Sequence, residues 1–120
     1  MSAKPVDLFV CVTCQNSAAE RIGEQFFRTL TEIANGNTRL HPVECLSVCK
    51  RPCTVAVSSA GKWTYIIGDL TSANDADALL SYVDTYALSE FGTPPLKERP
   101  AAIRKGTVAR LPSLTPTIEA

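Results

Sequence analysis

Hydrophobic and polar positions along the chain fall into a succession of short patterned stretches. Asp7 to Val12 (DLFVCV) is apolar and rich in β-branched residues, the composition of a buried first strand. Ser17-Ala-Ala-Glu20 then forms a capping-box pattern, in which a serine hydroxyl accepts from a first-turn N–H and the glutamate reaches back. Ile22, Phe26, Leu30 and Ile33 follow at helical spacing and give one apolar face, and Asn35-Gly36-Asn37 ends the helix. Thr38 to Val43 makes a second strand, cut short at Pro42, and Glu44 to Cys53 is a loop. Thr54 to Ser58 and Trp63 to Ile67 are strands joined by the turn Ser59-Ala60-Gly61-Lys62, so they read as a hairpin. A last helix runs from about Asn74 to Leu88, capped by Ser72 or Asn74, with Ala76, Leu79, Leu80 and Val83 inward. Thr93 to Ala120 holds five of the eight prolines and reads as an extended arm, parts of which Ile103, Val108 and Leu111 could dock.

The order is therefore β-α-β-β-β-α. The first β-α-β should be a parallel pair with a right-handed crossover, and the last two strands an antiparallel hairpin. This predicts an α/β fold of thioredoxin-like arrangement, with a four-stranded mixed sheet, two main helices and an extended C-terminal arm. A chain of 120 residues has room for one domain and a tail but not for two domains. The expected division is a domain over residues 1–92 and a Pro-rich, basic tail over 93–120. A core of this size stands without a metal or disulfide staple. Cutting after Gly92 is expected to leave the domain folded.

Composition narrows the function. Apolar residues make up 45% and charged residues 20%, the balance of a soluble globular protein. No apolar run reaches the length of a membrane span, and Met1 to Asp7 does not read as a signal peptide, which predicts a cytoplasmic protein. The net charge is zero but unevenly spread: seven basic and ten acidic residues up to Gly92, then five basic and two acidic. That is no dense basic stripe, so nucleic acid is not an expected partner, although the basic tail could help to dock an acidic one. There is no Ser–His–Asp set, P-loop or dinucleotide fingerprint, so no catalytic residue is assigned and the chain does not read as an enzyme. His41, the lone histidine, precedes Pro42 in a strand and reads as exposed rather than as a ligand. Trp63, Tyr65 and Ile67 alternate as sheet-face packing, and Asp69, Asp75 and Asp77 read as helix-start charges.

Five cysteines in such a chain call for a chemical role, because a reducing compartment disfavours stable disulfides. Cys11 and Cys14 form a C-x2-C pair and Cys45 and Cys49 a C-x3-C pair. Both pairs fall at the ends of strands that a parallel β-α-β unit sets side by side, so four sulfurs can converge at one edge of the sheet. Four thiolates suit an iron–sulfur cluster and zinc alike. A dithiol oxidoreductase is a third reading: Cys11 and Cys14 lie between a strand and a helix, whose N-terminus lowers a thiol pKa, and Pro52 precedes a strand. That chemistry has no use for Cys45 and Cys49. Cys53 reads either as a buried core thiol or as a spare ligand in a C-x3-C-x3-C run. Lys50 and Arg51 follow Cys49 and are either cations that stabilise a negatively charged centre or part of a solvated loop.

LFVCVTC, a helix, ECLSVCKRPCTVAV, a glycine turn, WTYIIGDL and a final helix together resemble the thioredoxin-like 2Fe-2S ferredoxins over about residues 7–90. The resemblance implies that Cys11, Cys14, Cys45 and Cys49 are ligands of a 2Fe-2S cluster and that Pro52 opens a strand. It implies one-electron transfer to a redox partner protein or an iron–sulfur accessory role, and, by analogy, a homodimer. The chain departs from the family in the short spacing of its first pair and in the extra Cys53. The whole chain, including RKGTVARLP, also resembles a small bacterial family of predicted metal-binding proteins, which implies a link to cobalamin or cobalt metabolism. Zinc or another metal in metal handling, and the dithiol oxidoreductase, stay open as alternatives.

Overall fold

Three central strands bury one face completely and the other in part, and that asymmetry sets the architecture. The computed structural model describes residues 5–13, 20–34, 36, 38–44, 53–95, 97 and 99–112. In chain order the elements are β1 (Val6–Cys11), α1 (Ile22–Ile33), β2 (Thr38–Val43), β3 (Val55–Ser58), β4 (Thr64–Ile67), α2 (Ala73–Leu88), α3 (Ala101–Gly106) and β5 (Thr107–Leu111). They build one sheet in the order β2-β1-β3-β4-β5. β1 and β2 are parallel, from Val6↔Thr38 to Cys11↔Val43. β3 pairs antiparallel with β1, and β4 with β3. Pro42 is accommodated because β2 is an edge strand, where a missing ladder donor is tolerated. The fold class is the expected thioredoxin-like α/β arrangement, with one strand more than the four predicted.

Val6, Leu8 and Val10 of β1, Val55 and Val57 of β3, and Tyr65 and Ile67 of β4 are buried on one face of the sheet. They pack in one core with Phe26 and Leu30 of α1 and Ala76, Leu79, Tyr82, Val83 and Tyr86 of α2. The inward stripe of α2 thus contains two tyrosines beside the predicted Ala76, Leu79 and Val83, while Leu80 is only partly buried against the core. The Tyr65 ring meets Tyr82 and Tyr86 edge-on, with centroids 5.8 and 6.3 Å apart. Burial pushes the Tyr82 and Tyr86 phenols far above their usual range, so both are neutral.

The helix ends show how far local patterns decide. Ser72 caps α2: its hydroxyl accepts from the Asp75 N–H at 3.1 Å, and the Asp75 carboxylate accepts from the N–H groups of Ser72 and Thr71 at 3.1 and 2.9 Å. At the other end the buried Lys62 ammonium donates to the carbonyls of Tyr86 and Ala87 at 3.1 and 2.6 Å, where the helix dipole favours a cation. α1 starts differently from the expectation. Arg21 is its N-cap, without a side-chain cap bond, and Glu20 precedes the helix, so Glu20 does not close a capping box from within the first turn. Ser17 lies outside the described residues. Ile33, expected on the apolar face, is 43% exposed in the last turn.

The C-terminal stretch that reads as an extended arm supplies α3 and β5. Ile103 is fully buried in the common core. β5 pairs antiparallel with β4, Tyr65↔Arg110 and Ile66↔Ala109, and the Arg110 guanidinium lies 4.8 Å from the centroid of the Trp63 ring. No helix among the described residues is long and apolar enough to cross a membrane. The expected result of truncation changes accordingly. A chain ending at Gly92 loses a paired strand and a buried isoleucine, and its urea unfolding transition should fall to markedly lower denaturant or lose cooperativity. Ile103→Ala alone should cost about 2–5 kcal/mol. A fragment with the full-length midpoint would show that α3 and β5 contribute nothing to the core.

Candidate metal centre

Because β1 and β2 are parallel, both finish at the same edge of the sheet. β3, antiparallel to β1, begins there, and β4 ends there. Cys11 is the last residue of β1 and is clamped from both sides. Its N–H donates to the Thr54 carbonyl at 3.0 Å, and the next N–H, of Val12, donates to the Val43 carbonyl at 2.9 Å. The Cys11 thiol is buried, 3.7 Å from the Glu44 carbonyl oxygen and 3.7 Å from Thr13 Oγ1. Glu44 immediately precedes Cys45 in the sequence, and Thr13 immediately precedes Cys14.

Of the predicted ligands, Cys11 is described; Cys14, Cys45 and Cys49 lie outside the described residues, as do Lys50, Arg51 and Pro52. Cys53 is fully buried. Its thiol donates to the Cys11 carbonyl at 3.7 Å and to its neighbour's, Thr54, at 3.8 Å. Its backbone exchanges two hydrogen bonds with Leu70, each 3.2 Å. Neither Cys11 nor Cys53 is in a disulfide. Among the described residues no group of three or more His, Cys, Asp or Glu side chains is placed to hold a metal ion.

A polar cluster fastens β2 to β1 towards the opposite end of the two strands. The Asp7 carboxylate accepts from Arg39 Nε and Nη2 at 2.7 and 2.9 Å, and His41 Nε2 lies 2.8 Å from Asp7 Oδ1. The His41 ring stacks on Phe9 with centroids 4.8 Å apart. His41 therefore serves the β1–β2 seam. The Arg39 guanidinium, opposed by partial burial and aided by His41, holds the Asp7 carboxyl below its usual range. Sequence reasoning missed the Glu44 carbonyl and the Leu70 backbone, which have no signature in residue type. It also read Asp69 as a helix-start charge, whereas Asp69 has φ +61°, a left-handed turn between β4 and α2.

Over residues 8–113 the chain matches the family described as "Protein of unknown function (DUF1636)", and it belongs to that family. No curated protein matches it. Two solved structures of a thioredoxin-like [2Fe-2S] ferredoxin from Aquifex aeolicus share its fold. One has a TM-score of 0.57 at 16% identity, covering 90% of this chain and 94% of the ferredoxin. The other, of the wild-type protein, has a TM-score of 0.54 at 16% identity, covering 89% and 99%. At that identity the likeness shows the thioredoxin-like fold.

The Asp7 seam makes a pH prediction. A carboxyl held below its ordinary value of 3.8 stabilises the fold above that pH, and the contribution is lost as pH falls through the lower, folded-state pKa. The stability difference between wild type and Asp7→Asn, read from urea unfolding, should be constant near neutrality and shrink below about pH 4. A difference that persists unchanged to about pH 2 would mean that the ionised carboxylate is not what joins the strands.

Proposed function

We propose that this family member is a small cytoplasmic one-electron carrier or iron–sulfur accessory protein, rather than a catalyst, and that Cys11, Cys14, Cys45 and Cys49 hold a 2Fe-2S cluster at the edge of the sheet where β1 and β2 end. The observation that carries this reading is the surroundings of the Cys11 sulfur. It sits 3.7 Å from atoms of Thr13 and Glu44, the residues that directly precede Cys14 and Cys45. Consecutive Cα atoms are about 3.8 Å apart, so neither cysteine needs a long reach to meet Cys11. A donor set of four thiols fits a 2Fe-2S cluster, and the solved ferredoxins of this fold are named as [2Fe-2S] proteins.

When bound, the cluster supplies a one-electron oxidation and reduction. The residues of the chain hold and shield it. Backbone bonds to Thr54 and Val43 fix the strand end that carries Cys11. Burial of the Cys11 side chain keeps water from its sulfur. Lys50 and Arg51, next to Cys49 in sequence, offset the negative charge of four thiolates around the cluster and raise its reduction potential. Cys53, fully buried and donating to the Cys11 carbonyl, acts as packing behind the site.

Protein purified without oxygen should be brown, with visible charge-transfer bands and equal amounts of iron and acid-labile sulfide. A colourless protein with stoichiometric zinc would replace this reading by zinc binding, and an apo protein that rapidly reduces disulfides would replace it by dithiol chemistry. Serine at Cys11, Cys14, Cys45 or Cys49 should each remove most of the metal while the domain still folds, because a serine hydroxyl stays protonated at neutral pH and ligates poorly. Cys53→Ser should keep the metal and cost about 1–3 kcal/mol of stability through a buried hydroxyl. Loss of the centre in Cys53→Ser with retention in Cys14→Ser would move the fourth ligand to Cys53.

A further inference from the structure

We propose that Gly106, far from the cysteines in sequence, is a positioning residue for the cysteine edge of the sheet. It acts through a link that runs from Gly106 along the backbone of Gly68, Asp69, Leu70 and Cys53, and from there to Cys11 through the Cys53 thiol and the Thr54 carbonyl. Its joints are backbone hydrogen bonds of 2.8 to 3.2 Å and, at Cys53, a longer thiol contact of 3.7 Å. The Gly68 N–H donates to the Gly106 carbonyl at 2.8 Å. Gly68 leads to Leu70 through Asp69, a non-glycine residue at φ +61°. Such a conformation persists where its surroundings over-determine it. Leu70 exchanges hydrogen bonds of 3.2 Å in both directions with Cys53. The Cys53 thiol donates to the Cys11 carbonyl, and the Cys11 N–H returns to Thr54, the residue after Cys53.

Gly106 is where this link leans on the C-terminal segment, and it has no room for a side chain. A Cβ there would lie 2.5 Å from the Gly68 carbonyl oxygen and 3.2 Å from Ile67 Cγ2. The nearer atom is backbone, so it cannot rotate away as a side-chain tip would. An added methyl must push Gly68 outward, and the strained Asp69 passes that displacement to Leu70 and so to Cys53. The position is thus set by what it presses against, at the junction of α3 and β5.

The experiment reads the thiols directly. In metal-free protein, alkylation by iodoacetamide is followed by peptide mass spectrometry at Cys11 and Cys53, far below the melting temperature of every variant. Gly106→Ala should speed alkylation severalfold at both. Gly36→Ala, where an added Cβ meets nothing within 4 Å, should leave it unchanged. Equal rates in wild type and folded Gly106→Ala would overturn the proposal. Should Gly106→Ala fail to fold, wild-type amide exchange decides instead. The N–H groups of Cys11, Cys53, Gly68 and Leu70 should open as one unit with a common free energy, and separate opening would overturn the link. The metal readout rests on the function proposed above: with a 2Fe-2S centre, Gly106→Ala should lose its colour severalfold faster under a chelator. The alkylation and exchange arms hold whether or not that function stands, so the two can fail separately.

Discussion

The candidate centre depends on the parallel register between β1 and β2. It sets Cys11 opposite Val43, so the chain leaving each strand enters its cysteine-bearing segment beside the other. A slip of one residue would turn every β2 side chain to the opposite face. Leu40, partly buried against the core, would leave it, and Arg39 and His41 would lose Asp7 and Phe9. No β2 residue is fully buried, so burial alone does not pin this edge strand. The ladder, Leu40 on one face and the Asp7–Arg39–His41 cluster on the other fix it together. The exposed ion pair adds little to total stability, since solvent screens it. Its importance is geometric: it penalises the wrong register, and so helps to set Cys11 opposite Val43 at the far end of the pair.

What was legible in the sequence follows the physics of each element. The hairpin of β3 and β4 was readable because alternation and a glycine turn are local signals. α2 was readable because its cap and stripe lie within its own residues, although Tyr82 and Tyr86 were left off the inward face. A phenol is amphipathic, and only the sheet beneath it shows that the ring goes in. β5 was not readable. All its residues but Thr107 are exposed, prolines flank it, and what holds it is pairing with β4, a contact that no pattern within Thr107–Leu111 encodes. The start of α1 failed for the converse reason. Ser17 to Glu20 match a local capping pattern worth about 1 kcal/mol, yet the helix begins at Ile22. A preference of that size yields readily to the packing of Phe26 and Leu30.

The candidate site divides in the same way. The residue types announce thiol chemistry, because four cysteines in two spaced pairs are hard to explain as core alone. Their frame is silent in the sequence, since it consists of carbonyl and amide groups that every residue carries. The Glu44 oxygen facing the Cys11 sulfur, the paired backbones of Cys53 and Leu70, and the Gly68–Gly106 bond come from topology. Gly106 is a part of the frame that residue type could have signalled, since a glycine where α3 meets β5 marks a close approach of two backbones.

Cys11 and Cys53 lie at one end of the core, away from most of its side chains, and this bears on what a bound group would do for the fold. The apolar contacts that hold α1 and α2 to the sheet run through Leu8, Val10, Val57, Tyr65, Leu79 and Tyr82, all within the body of the sheet. Cys11 and Cys53 belong to that core at its margin, where β1 ends and β3 has yet to begin. In small metal-folded domains the binding free energy of the metal is the folding free energy, because nothing else orders the chain. Here a core of buried apolar side chains joins the sheet to both long helices, a source of folding free energy that such domains lack. A group held at this edge therefore meets a scaffold already in place, and its binding free energy is largely free to set affinity and potential. On the function proposed above, that arrangement makes the rigidity of the edge, rather than the size of the core, the property that governs how long the centre is retained.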